Sequence, residues 1–254
     1  MTELSPVGQY IDELLACPKL GPQICHHQVL PEAAALFAEN RRPWPGAIGK
    51  LLSERDIRLY SHQALATDHI RAGHSIVAAT PTASGKSLIY NLPVLERHLL
   101  DPEARALYLF PLKALAQDQL QSFNALCTSW PEEARPTAAL YDGDTSDYMR
   151  RKIRRDPPTT LITNPEMLNL AILPHHEQWA PFLAGLAHIV VDEAHIYRGV
   201  FGSHLCGLFR RLNRICARYG ANPAYVFCTA TLGNPGELCA NLIIGGTTPG
   251  VSQF

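Results

Sequence analysis

From residue 75 onward the apolar positions fall into short runs separated by stretches with helical spacing. The runs are Ser75 to Ala79, Ala106 to Phe110, Thr137 to Tyr141, Thr159 to Thr163, Ala187 to Asp192 and Ala224 to Thr229. Each is short enough, and rich enough in apolar residues, to predict a strand. Between most of them, apolar residues recur three or four apart. Leu88, Leu92, Leu95 and Leu99 form one such stripe, and Leu205, Leu208, Leu212 and Ile215 form another, with Arg210, Arg214 and Arg218 on the opposite side. Strands alternating with amphipathic helices predict an α/β fold with a parallel sheet covered on both faces. Ligands of such sheets sit at the carboxyl ends of the strands, so the residues just after each run are the first candidates for chemistry.

Before residue 56 the pattern changes. A helix is predicted from about Leu4 to Leu15, after which Pro18, Pro22, Pro31, Pro43 and Pro45 divide the chain into short pieces. The expected organisation is an N-terminal appendage over 1–55, a working domain over 56–246 and a tail over 247–254, with Gly245 to Gly250 as loop. No repeat of 20 to 50 residues and no low-complexity tract occurs, which argues against a solenoid or a long disordered linker. With 254 residues, 46% hydrophobic and 18% charged, the chain can bury a substantial core.

Charge narrows the candidates only locally. Lys and Arg total 22 against 23 Asp and Glu, for a net charge of −1, so any nucleic-acid binding must come from a local basic groove. The run Arg150-Arg151-Lys152-Ile153-Arg154-Arg155 and the arginines at 210, 214 and 218 are read as solvated basic faces. The seven cysteines form no C-x-x-C pair and no Cys/His cluster with metal-ligand spacing, and are expected to be reduced and mostly buried. The N-terminus lacks a basic segment followed by an apolar run, and no stretch of about 18 apolar residues occurs. The expectation is a cytoplasmic protein with no membrane partner.

The strongest chemical signal follows the first strand. Thr80-Pro81-Thr82-Ala83-Ser84-Gly85-Lys86-Ser87 lies between that strand and a helix, the setting of a phosphate-binding loop. Backbone N–H groups at a helix start hold anionic oxygens, Lys86 reaches the β and γ phosphates of a nucleotide, and the Ser87 hydroxyl can ligate Mg²⁺. Thr80 stands where the general pattern has its first glycine. A second site follows the strand ending at Val191, where Asp192 can hold the metal and Glu193 can polarise water. A loop lysine, a metal-holding Asp and a water-activating Glu suffice for phosphoryl transfer to water, with ATP and Mg²⁺ as the implied ligands.

These residues carry a resemblance. Asp192-Glu193-Ala194-His195 is similar to the DEAH form of helicase motif II, and Thr229-Ala230-Thr231 resembles motif III. Pro111 to Gln119 resembles motif Ia, and Thr163-Asn164-Pro165-Glu166-Met167-Leu168 resembles the later strand-contacting motif of superfamily 2 helicases. More closely, Tyr60-Ser61-His62-Gln63, the loop from Thr80 to Ser87 and the segment from Asp192 to His204 resemble the mitomycin repair factor A group of DNA repair helicases, as does Gln23 to Leu36 before the core.

The resemblance implies a RecA-like P-loop domain, the first of the two domains of a superfamily 2 motor. It further implies that Gln63 reads adenine, with Tyr60 nearby for stacking or packing. Thr80, Pro81, Thr82, Ala83, Ser84 and Gly85 then form the loop, and Lys86, Ser87 and Asp192 bind phosphate and metal. Glu193 orients the attacking water, while His195, Thr229 and Thr231 couple nucleotide state to the other domain. Pro111, Lys113, Gly143, Thr163 and Pro165 are the implied contacts to a nucleic-acid strand. Because the chain stops after motif III, the expectation is an ATP-binding half-motor acting on single-stranded or tailed duplex DNA, with 3′ to 5′ polarity. A second RecA-like domain would act in cis or in trans, and hydrolysis by this chain alone would be weak or absent. An RNA helicase domain and a non-catalytic interaction module are the alternatives.

Overall fold

The structure, a computed structural model, describes residues 6–28, 34–81, 84–230, 232–243 and 252–253. Two compact units divide between Ala35 and Leu36. The smaller holds helix α1 (Pro6–Ala16) and a single 3₁₀ turn at Gly21–Gln23.

The larger unit begins with helices α2 (Gly46–Glu54) and α3 (Ser61–Arg71), then β1 (Ile76–Ala79), α4 (Lys86–Leu100), β2 (Arg105–Leu109), α5 (Lys113–Leu126), β3 (Ala138–Leu140), α6 (Asp147–Arg155) and β4 (Thr160–Thr163). It continues with the short α7 (Pro165–Met167) and α8 (Ala180–Ala184), then β5 (Leu186–Val191), α9 (Gly199–Arg218), β6 (Ala224–Thr229), α10 (Pro235–Ile243) and β7 (Ser252–Gln253). All six predicted strands are present, each boundary within one residue of its expected place. The tail, expected as loop, adds the two-residue β7 beside β1.

The expected appendage over 1–55 does not coincide with a compact unit. Phe37 bridges Tyr60 in antiparallel fashion, and Ile48 and Leu51 of α2 are fully buried in the larger unit's core. Prolines at 43 and 45 interrupt regular structure there without preventing the segment from packing.

The sheet order is β3-β4-β2-β5-β6-β1-β7, parallel throughout. Successive side chains on a strand point to opposite faces, and the core divides accordingly. Leu107, Leu109, Ile189, Val191, Tyr225 and Phe227 enter one cluster, covered by α9 and α10 and by Trp179, Phe182 and Leu183 before β5. Ala106, Tyr108, Val190, Val226 and Cys228 enter the other, covered by α2, α3, α4 and α5. Burial on both faces is why these strands read as continuous apolar runs instead of alternating ones.

Register lines up the strand ends. Ala79 stands beside Thr229, Val191 beside Phe227 and Leu109, and Leu109 beside Thr163. The residues that follow β1, β6, β5, β2, β4 and β3 therefore emerge along one edge of the sheet.

Candidate phosphate site and the strand-end edge

The loop after β1 closes on itself. Lys86 Nζ donates to the carbonyls of Thr80 at 2.9 Å and Pro81 at 2.8 Å. A phosphate oxygen would compete well for this ammonium, since charge-assisted hydrogen bonds are roughly twice as strong as those to neutral acceptors. Thr80 is nearly buried, and its hydroxyl lies 2.6 Å from Ser84 Oγ. Among the described residues, positive φ outside glycine is confined to Asp56 and Glu193, so the backbone at Thr80 does not need glycine, and its hydroxyl stitches the loop across. Gly85 does need to be glycine. Its φ is +72°, and a Cβ there would come within 2.5 Å of Gln63 Nε2. Thr82 and Ala83 lie outside the described residues.

Gln63 is 1% exposed. Its Oε1 accepts the Tyr60 N–H at 2.9 Å, closing the start of α3, and its Nε2 donates to the carbonyls of Gly85 at 3.0 Å and Ser84 at 3.3 Å. Both ends of the amide are thus engaged by backbone, and the residue expected to read adenine braces the phosphate loop. Tyr60 stacks between Phe37 and His62, with centroids 5.2 and 5.7 Å away.

Asp192 and Glu193 follow β5 two strands away from β1. Asp192 N donates to the Leu109 carbonyl at 3.1 Å, and its Oδ1 accepts the Glu193 N–H at 2.9 Å. Burial pushes the Asp192 carboxyl up to about 6, the Glu193 carboxylate adds to the rise, and the Glu193 N–H and Lys86 oppose it. The Asp192 carboxylate and the Ser87 hydroxyl are hard oxygen donors of the kind that Mg²⁺ takes. Among the described residues no three His, Cys, Asp or Glu side chains could hold a metal by themselves.

Glu193 sits in the left-handed region at φ +50°, a strained backbone for a residue with a side chain, of a kind that clusters at functional sites. His195 Nδ1 lies 3.2 Å from Glu193 Oε2 and 3.4 Å from the hydroxyl of fully buried Thr229. His195 therefore bridges the loop after β5 and the end of β6. Thr231 lies outside the described residues. Tyr197, fully buried, has its phenol held protonated by burial and by the nearby Asp192 and Glu193.

Farther along the edge, Lys113 opens α5 after β2, Gly143 is exposed after β3, and Pro111 and Pro165 both line a groove of about 850 Å³ that also includes Leu112, Asn164, Phe201 and His204. Thr163 departs from its expected role as a strand contact. It is 2% exposed, and its hydroxyl donates to the Tyr141 carbonyl at 2.5 Å, holding β4 to β3. Two further side chains shape this edge, and one of them, Arg150, departs from the solvated basic face expected for 150–155. Asp144 Oδ2 accepts from Lys113 Nζ at 2.6 Å, and Arg150 donates to the carbonyls of Thr145 at 2.8 Å, Asp142 at 3.0 Å and Gly143 at 3.4 Å. Asp144 pairs across two strands, a contact that no local pattern announces. Arg150 could have been singled out by its spacing, three residues before buried Ile153 and so on the inner side of a basic helix.

Residues 60–238 match the family model described as DEAD/DEAH box helicase. The chain belongs to this helicase family. Within the family, it is 46% identical over 217 residues to the uncharacterized ATP-dependent helicase YprA of Bacillus subtilis, covering 84% of this chain and 28% of YprA. It is 37% identical over 239 residues to the ATP-dependent helicase HRQ1 of Saccharomyces cerevisiae, covering 91% of this chain and 21% of that one. Among solved structures, the DUF1998 helicase MrfA bound to DNA and AMPPNP matches with a TM-score of 0.78 at 46% identity, over 83% of this chain and 29% of MrfA. The match to MrfA agrees with the resemblance to the mitomycin repair factor A group, and the fold is that of a RecA-like helicase domain. The chain thus spans less than a third of these relatives' length. Among the described residues no helix is long and apolar enough to cross a membrane.

Proposed function

We propose that this helicase-family domain is the ATP-binding half of an ATP-dependent DNA helicase acting in repair, cytoplasmic, and completed by a second RecA-like domain in cis or in trans. The observation that carries the reading is the convergence of Lys86, Asp192, Glu193, His195 and Thr229 at the ends of three neighbouring strands, with Lys113 and Gly143 farther along the same edge. Relatives named as ATP-dependent helicases, and the related MrfA bound to DNA and AMPPNP, support nucleotide and DNA as the ligands.

In this reading Lys86 leaves the Thr80 and Pro81 carbonyls for the β and γ phosphates of ATP, while the N–H groups at the start of α4 take up anionic oxygens. Mg²⁺, held by Ser87 and Asp192 together with the nucleotide, supplies neutralisation of phosphate charge. Glu193, oriented by its strained backbone and by His195, positions water for attack and takes its proton. Because His195 touches both Glu193 and Thr229, a shift of the carboxylate on hydrolysis reaches the end of β6, from which coupling to a second domain starts. Lys113 and the Gly143 turn hold sugar and phosphate of the strand, contacts that carry no sequence information.

Glu193→Gln tests the assignment. In a protein completed with its second domain, this variant keeps ATP affinity and loses turnover by roughly 10²-fold or more, the usual contribution of a positioned base. Comparing single-stranded DNA with RNA of the same sequence as activator separates the DNA reading from the RNA one. Normal turnover in the variant assigns the base elsewhere, and stimulation by RNA alone rejects DNA as the substrate.

A further inference from the structure

Helix α6 carries Arg150, Arg151, Lys152, Arg154 and Arg155, with Asp147 as its one carboxylate. These cations do not act alike. Arg150 clamps the 142–145 turn, Arg154 reaches the Tyr141 hydroxyl at 3.4 Å, and Ile153 between them is buried. Three of the helix's nine residues are thereby accounted for by packing. Arg151, Lys152 and Arg155 are exposed, and their side chains have no hydrogen-bond or ion-pair partner among the described residues. Tyr148, 69% exposed, stands with them. Positions 148, 151, 152 and 155 are spaced i, i+3, i+4 and i+7, which places them on one face of the helix.

Complementing the helix dipole explains cations in the last turn. It explains neither Arg151 nor a tyrosine left in solvent among unneutralised cations. An aromatic platform interleaved with unpaired positive charge is what a single-stranded nucleic acid binds, its phosphates paired and a base stacked. Position supports the same partner. Lys113, Asn164 and Gly143 follow β2, β4 and β3, so the strand-facing edge proceeds away from the nucleotide site and ends at the turn that Arg150 fixes to α6.

We infer that the outer face of α6, formed by Tyr148, Arg151, Lys152 and Arg155, binds the backbone of a single strand where it leaves the row of Lys113 and Gly143. The inference rests on the strand-binding reading above. The face is about 10 Å long and offers three cations, one for each phosphate it could meet along a strand. Since β3 is five strand spacings from β1 in the sheet order, about 24 Å, loss of this face leaves the phosphate loop untouched.

The test is single-stranded DNA binding by the full chain across a salt series, using a long and a short oligonucleotide, with a blunt duplex in parallel. The variant Arg151→Ala/Lys152→Ala/Arg155→Ala should weaken the long oligonucleotide roughly tenfold or more and lower the log–log salt slope by about 2, at about 0.7 per single-strand phosphate contact. Tyr148→Ala should weaken it roughly fivefold or more without changing the slope. An oligonucleotide too short to reach past Gly143 should be indifferent to both. Removal of three charges elsewhere, Arg210→Ala/Arg214→Ala/Arg218→Ala, serves as the control for net charge and should have little effect.

Equal losses in the α6 and α9 variants, unchanged binding in the α6 variant, or weakening confined to the duplex would each overturn the inference. Lys113→Ala distinguishes its failure from failure of the underlying reading. If Lys113→Ala weakens binding and the α6 variants do not, α6 is not part of the track; if neither does, the strand-facing edge itself is misassigned.

Discussion

Asp192 shows how a single side chain can be tuned against the stability of its own fold. Its carboxyl is raised from 3.8 to about 6, chiefly by burial. The stabilisation from carrying the proton is fully present below about pH 4, and it is lost as pH rises through 6, because the folded state binds that proton more tightly than the unfolded one. Asp192→Asn should therefore raise the melting temperature of the nucleotide-free chain at pH 8 and have little effect at pH 4. The gain is at most about 2 to 3 kcal/mol, less where solvent still reaches the carboxylate. The same variant should abolish the weakening of Mg·ATP binding expected in the wild type as pH falls below about 6. Thermal melts at the two pH values check the first claim, and equal stabilisation at both would show that burial of charge at Asp192 is not the cause. At this scale the sequence was informative about identity and less so about placement. Lys86, Asp192 and Glu193 stand where strand-end reasoning puts them. Gln63 Nε2 and the Thr163 hydroxyl spend their protons on backbone carbonyls that arrive from segments at least 21 residues away.

At the scale of elements, the site depends on how α3 is fastened to α4, the first carrying Gln63 and the second beginning with Lys86 and Ser87. Arg71 of α3 meets Glu96 of α4 through Nε at 2.7 Å and Nη2 at 2.8 Å, with both side chains nearly buried. Arg71 also donates to the carbonyls of Arg42 at 2.5 Å and Pro43 at 2.9 Å, and its guanidinium lies 4.1 Å from the centre of the Trp44 ring. Asn40 adds bonds to Ala64, Thr67 and Asp68 of α3. Removing Arg71 alone leaves Glu96 buried and charged with exposed Arg42 as its remaining ionic partner, and losing one side of a buried pair costs about 3 to 5 kcal/mol. Arg71→Ala should lower the denaturation midpoint accordingly, with Arg71→Met/Glu96→Leu closer to the wild type. A midpoint unchanged in Arg71→Ala would mean that α3 and α4 are held by apolar contacts alone. This arrangement also explains why the segment 36–55 was not legible as part of the core. Its prolines mark breaks in regular structure, while its attachment to α3 and α4 runs through contacts 24 to 54 residues apart. The inner strands were legible because burial on both faces makes each a continuous apolar run, the partly buried β3 because its alanines and leucine still stand apart from the turns around them, and the crossover helices because their stripes are three and four apart.

In the larger unit the ends of β1, β6 and β5 lead to Lys86, Thr229 and Asp192, and those of β2, β4 and β3 lead to Lys113, Asn164 and Gly143, all on one edge of a single sheet; under the proposed reading the first group faces nucleotide and the second faces the strand. The order of strands joins them, which is why motifs far apart in sequence become neighbours once the parallel topology is known. Under the proposed reading the catalytic set lies on one wall of a cleft whose other wall belongs to a second domain, and unwinding needs the two to close and open. The chain alone, with ATP and Mg²⁺, should not displace a strand from a duplex with a 3′ tail. ATP-dependent displacement that vanishes in Lys86→Ala would show that a second copy, or another part of this chain, supplies the missing wall.

The central claim is that the loop after β1 holds the phosphates of ATP through Lys86, and calorimetric titration of Mg·ATP tests it most directly. Lys86 lies at the head of α4 and outside the core, so Lys86→Ala should fold as the wild type does. Its affinity should fall by about 1.5 to 3 kcal/mol, the usual worth of a hydrogen bond to a charged group. Unchanged affinity in a folded Lys86→Ala protein would contradict the account.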